Sequence, residues 1–143
     1  MTAMKLDNKD YKIIEVLKQN SRISIRDLAK KNNLRPSTVH QRILRLKENN
    51  VIERFTLKLN NKEVGENFIV FMLIATEKEI DNKLFNNKHI KEVFGITGEY
   101  DLMLKLKFKD VEEFTDYIIS FRKDSGIKKT LTMVSTITLK EDI

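Results

Sequence analysis

Along the first 60 residues, apolar positions recur at helical spacing. Ile13, Ile14 and Leu17 form one stripe. Asp7 followed three residues later by Asp10 is a capping-box start, so a helix is predicted to run from there to about Asn20. A second start lies at Ser24, with Asp27 completing the box and Ile25, Leu28 and Ala29 facing inward. This helix is short and stops at Asn32–Asn33, because Asn tolerates left-handed backbone. A tight turn through Leu34 leads to Pro36, a favoured first helical residue. The third helix runs to about Glu48, with Val39, Ile43 and Leu46 on its buried face. Asn49–Asn50 ends it. Val51 to Leu59 alternates in part and predicts a strand or wing.

The second half has another rhythm. Phe68–Ala75 is apolar on both faces, as in a strand covered on both sides. Ile80 and Leu84 predict a short helix, and Ile90–Thr97 a second strand. Gly98-Glu99-Tyr100-Asp101 reads as a turn. Leu102, Leu104, Leu106 and Phe108 alternate with Met103, Lys105 and Lys107 in a third strand. Asp110 caps a helix carrying Val111, Phe114, Ile118 and Phe121, which Ser125–Gly126 ends. Ile127–Leu139 is a last, β-branched strand. The order β-α-β-β-α-β is that of a ferredoxin-like split βαβ. The fold class is therefore α+β: an N-terminal three-helix domain over residues 1–60, then a ferredoxin-like βαββαβ domain over 61–143.

Both helices of such a domain cover one face of its sheet, yet the first strand is apolar on both sides. Either a second copy of the chain covers the other face, or the wing or linker folds back over it. A homodimer is the simpler solution.

Charge sharpens the division between the halves. Residues 1–60 hold 14 Lys+Arg against 6 Asp+Glu, and residues 61–143 hold 13 against 15. All the excess positive charge of the +6 chain sits in the first half. That suits a polyanion-binding module, or a basic domain kept soluble by its charge. There is no Cys, so disulfides and thiolate metal sites are excluded. The longest apolar run, Phe68–Ala75, is too short for a membrane span, and no signal-type stretch opens the chain. A cytoplasmic protein without membrane contact is expected.

A short helix, a tight turn and a helix opened by Pro36 fit a helix-turn-helix, or an ordinary three-helix bundle with a solvated face. On the first reading, the third helix presents Ser37, Thr38, Gln41 and Arg45 outward, with His40 and Arg42 beside them. Gln can read adenine, Arg can read guanine, and Ser or Thr serves bases or phosphates. Arg22, Arg26, Lys30 and Lys31 lie on or beside the second helix, where they could hold phosphates. Leu44 also projects outward, and reads as packing on the wing or at a dimer contact. Double-stranded DNA is the expected partner.

Enzymatic chemistry has no foothold. The only histidines are His40 and His89. There is no phosphate-cradling glycine loop, no His-Glu-x-x-His and no nucleophile elbow. No cofactor and no metal are expected.

Taken together, Leu6-Asp7, Ile13-Ile14, Arg22-Ile23-Ser24, Leu28-Ala29, Leu34 to Val39, Arg42-Ile43 and Val51-Ile52 resemble the leucine-responsive/asparagine-regulator (Lrp/AsnC) family. Gly98-Glu99-Tyr100-Asp101-Leu102 resembles that family's Gly-x-x-Asp loop, and Gly126-Ile127 with Thr130, Thr132 and Val134 resembles its last strand. The resemblance implies a DNA-binding N-terminal domain, and a C-terminal domain that builds dimers, often octamers. It also implies an amino acid or related effector bound between subunits. Carried over by position, Gly98, Tyr100, Asp101 and Thr132 are the effector candidates. Gly98 could equally satisfy a turn with positive φ, and Asp101 could bond turn backbone. Two positions depart from the family pattern. Arg35 stands where Ser usually precedes the Pro, capping poorly but free to meet a phosphate, and Asn50 replaces a Gly. The expected function is a sequence-specific regulator modulated by a small metabolite. The alternatives are an architectural DNA-coating protein without effector and a metabolite sensor acting through another protein.

Overall fold

In the computed structural model, which describes residues 3–123 and 126–143, the chain divides into a unit Met1–Leu57 and a unit Lys58–Ile143. The composition shift near Asn60–Asn61 falls slightly later. Lys58 and Asn61 both bond Glu141, which ties those residues to the second unit.

The first unit is built of α1 (Asn8–Gln19), α2 (Ile25–Lys31) and α3 (Pro36–Glu48). The capping box of α1 is complete: Asp10 N–H donates to the Asp7 carboxylate and Asp7 N–H to the Asp10 carboxylate. On α2 only half of the predicted box forms, with Ser24 Oγ accepting from Asp27 N–H. Asn33 and Asn50 adopt φ of 53° and 55°, so both predicted Asn turns use left-handed backbone. Ile13, Leu28, Ala29, Val39 and Leu17 form the core. Fully burying each large aliphatic side chain contributes roughly 1.5–3 kcal/mol.

The strand expected over Val51–Leu59 does not form. Residues 53–60 carry no regular element, and Phe55, Leu57 and Leu59 are exposed. Alternation suits a strand, but a ladder needs a neighbour for its N–H and C=O groups.

The second unit is one antiparallel sheet, with β1 (Phe68–Thr76), β2 (Ile90–Gly95), β3 (Leu102–Phe108) and β4 (Ile127–Val134) in the order β2-β3-β1-β4. This is the ferredoxin-like arrangement predicted, with α4 (Val111–Phe121) over one face. Its first helix is reduced to a single 3-10 turn, Asn82–Phe85, capped by Asp81. β4 is shorter than predicted. Ser135 N–H still reaches Ile69 C=O, one residue inside the start of β1, and there the partner strand runs out. The predicted stop of α4 at Ser125–Gly126 falls partly outside the described residues.

Val70, Met72, Ile74, Leu104, Leu106 and Phe108 pack beneath Ile118 and Phe121. On the opposite face, Phe94, Met103, Leu73 and Leu131 pair across β2, β3, β1 and β4 as one apolar row. Beside it, Lys105, Phe71 and Met133 form the next row. Phe94, Leu131 and Met133 are each at least 42% exposed.

Candidate functional site

In the first unit the geometry is set by the turn between α2 and α3. Leu34 N–H returns to Ala29 C=O at 3.0 Å, and Asn33 takes the left-handed conformation that lets Pro36 open α3. A surface concavity of about 610 Å³ follows this corner, lined by Ser24, Arg26, Asp27, Ala29, Lys30, Leu34 and Pro36. Arg26 and Lys30 are exposed at it, Arg22 and Arg35 are exposed close by in sequence, and Ser37, His40 and Gln41 are exposed on α3. Thr38 is half-buried. Arg35 makes no side-chain cap, as its chemistry predicts, which leaves its guanidinium outside the helix start.

Arg42 does not belong to that presented set. Its side chain is 19% exposed, and Nη1 lies 2.8 Å from both Asp7 oxygens and from Asp10 Oδ1. Arg42, expected at the DNA face, is engaged within the fold, where it holds α3 to the N-terminus of α1. Arg45 is shared. It is 49% exposed, and its Nη2 donates to Asp10 Oδ2 at 3.1 Å. Asp10 is fully buried, so its carboxylate is stabilised by these two guanidinium groups and by Asp7 N–H. The Asp7 carboxyl is lowered to about 2, first by Asp10 N–H and then by Arg42. Arg42 is raised in turn by its bonds to Asp7 and Asp10. The clue in the sequence was two pairs of equal spacing, Asp7/Asp10 and Arg42/Arg45. Local spacing presents the acids as a cap and the arginines as outward groups, and only the fold brings the two pairs together.

In the second unit, the Gly98–Asp101 loop joins β2 to β3. Gly98 has φ 114°, with nothing within 4 Å of where a Cβ would stand. Asp101 is a backbone hub. Its Oδ2 accepts from Thr76 N–H at 2.7 Å and Thr76 Oγ at 3.1 Å, its N–H donates to Ile74 C=O, and its C=O accepts from Ile96 N–H. Tyr100 lies beneath Lys129, whose Nζ is 4.9 Å from the ring centroid and also pairs with Glu99. That pairing lowers the Glu99 carboxyl and raises the Lys129 ammonium. Sequence reasoning missed Lys129, since only the β1–β4 register brings it to this loop.

Thr132 stands apart from the loop. It pairs with Met72, four residues along β1 from Thr76, or about 13 Å at the rise of a strand. It shares Met72's face toward α4, and its hydroxyl is buried without a hydrogen-bond partner. The structure therefore brings Gly98, Tyr100 and Asp101 together and leaves Thr132 outside that group.

A second charged cluster occupies the sheet face opposite α4. Glu141 accepts from Lys58, Asn61 and Lys107 and pairs with Lys105. Burial alone would raise its carboxyl, but these donors hold it well below the usual range. Among the described residues, no group of acids and histidines could hold a metal ion, and no helix is long and apolar enough to cross a membrane.

Comparison with known proteins places both units. Residues 6–53 match the winged helix-turn-helix DNA-binding family, and residues 70–143 match the Lrp/AsnC ligand binding domain. The HTH-type transcriptional regulator FL11 of Pyrococcus furiosus is 35% identical over 133 residues, covering 90% of this chain and 88% of FL11. Bacillus subtilis LrpC superposes with a TM-score of 0.85 at 28% identity, over 96% of this chain and 99% of LrpC. A Neisseria meningitidis transcriptional regulator, solved as its L-Met complex, shares the fold with a TM-score of 0.89 at 21% identity, over 96% of this chain and 94% of its own. With its ligand-binding half and its helix-turn-helix both matched, and a curated regulator similar along nearly the whole length, this chain belongs to the Lrp/AsnC family of transcriptional regulators.

Proposed function

We propose that this regulator binds specific duplex DNA through α3 as a homodimer, and that an amino acid or related small metabolite modulates it near the Gly98–Asp101 loop. The observation that carries the first part is the presented face of the helix-turn-helix. Ser37, His40 and Gln41 stand exposed on α3, Arg26 and Lys30 line the concavity beside it, and Arg22 and Arg35 are exposed close by in sequence. Hydrogen-bonding groups on a helix, edged by cations, suit base edges between phosphates. The apolar row across the opposite sheet face supports the dimer, because a second copy would remove it from water. The effector reading rests on the ligand-binding domain match, and a regulator of the same fold is solved with L-Met. Locally it is supported by a glycine turn with open space above it, beside Tyr100 and the Glu99–Lys129 pair.

The test is fluorescence anisotropy of the full chain with a duplex from its own upstream region and with a scrambled duplex, with and without amino acids. Selective binding that shifts with one amino acid is the expected outcome. Equal binding to both duplexes would remove site specificity, and indifference to every amino acid would remove the effector.

A further inference from the structure

Leu44 is a large apolar side chain in the middle of the face just described. The inward side of α3 is occupied by Val39 and Leu46, both fully buried. Ser37, Gln41, Leu44 and Glu48 follow at spacings of four, three and four, and so form the opposite ridge. Leu44 is 46% exposed there. The wing strand expected to cover it does not form, since residues 53–60 carry no regular element.

A single exposed leucine is ordinary. Its place on the ridge is what gives it meaning. Gln41 is one step toward the N-terminus on the same ridge, His40 is beside it, exposed Arg26 and Lys30 line the concavity at the α2–α3 corner, and Arg22 and Arg35 are exposed close by in sequence. Such a charge distribution complements duplex DNA rather than an apolar protein partner. The major groove offers apolar side chains one characteristic group, the thymine C5-methyl.

We infer that Leu44 is a specificity-determining residue that contacts a thymine methyl, next to an adenine read by Gln41. This rests on α3 being the recognition helix. The half-site would therefore carry adjacent A·T pairs at the centre of the α3 footprint, one read by hydrogen bonds and the other by shape and methyl contact.

The experiment selects sites for the full chain from a randomised duplex pool, then replaces each thymine of the selected duplex by deoxyuridine. That change removes the methyl and leaves base pairing intact. At one position per half-site, deoxyuridine should weaken the wild-type protein by about fourfold, the value of one buried methyl group. Leu44→Ala and Leu44→Gln should bind the thymine duplex more weakly and lose the difference at that position only. The side chain is exposed, so both variants should keep the wild-type circular dichroism. If selection succeeds but no thymine methyl matters, or the deoxyuridine loss persists in both variants, Leu44 is not the reader, although α3 remains the recognition helix. If no sequence is selected, both readings fall together.

Discussion

At the scale of single residues, Asp10 carries the most consequence. A carboxylate without accessible surface is tolerated only because Arg42, Arg45 and Asp7 N–H surround it. Asp10→Ala would leave Arg42 with Asp7 alone and Asp7 N–H without its acceptor. Its expected cost is about 2–3 kcal/mol, read by urea unfolding of the full chain. Asp7 adds a pH dependence. Its carboxyl is lowered from 3.8 to about 2, so its contribution to stability is complete above about pH 4 and is lost as the pH falls toward 2. Arg42→Met should flatten that part of the acid-unfolding profile, and an unchanged profile would show that the clamp does not hold Asp7. Gly98 poses the opposite problem. With open space around it, Gly98→Ala meets no clash, only a φ that L residues rarely adopt, at a cost of about 1 kcal/mol. Such residue-level chemistry was only half legible. The capping box and the Asn turns are local and could be read directly. The clamp needs two helices brought together from 32 residues apart, which no local pattern shows.

At the scale of elements, the helices were legible because each carries its own start signal and its own stripe. The strand ends were not, because a strand ends where its neighbour does. The β-branched run predicts β4 through to Leu139, yet its ladder stops with the start of β1. The residues from Val51 to Leu59 have a strand's alternation and form no ladder among the described residues. The loop candidates show the same division, since Gly98, Tyr100 and Asp101 are contiguous in sequence while Lys129 arrives only through sheet register. One element carries a direct test. α3 begins without a side-chain cap because Arg35 occupies the N-cap position. Arg35→Ser should stabilise the fold by about 1 kcal/mol, measured as a higher Tm, while weakening binding to any duplex. A gain in both would mean that Arg35 meets no phosphate.

At the scale of the molecule, the proposed homodimer is tested at the sheet face opposite α4. Leu131→Glu places a charge in the apolar row shared with Leu73, Met103 and Phe94, and sedimentation should show a shift from dimer to monomer. A dimer that survives this change must be held elsewhere. The segment 53–60 has a further consequence. With exposed Phe55, Leu57 and Leu59 and no ladder, its backbone opens at less cost than either core unfolds, with the Lys58–Glu141 pair as its side-chain tie. A protease that cleaves after exposed Arg54 therefore meets an open substrate in the native chain, and each fragment retains a complete hydrophobic core. Cleavage at this point is then set by the segment itself, and improving either core would not slow it.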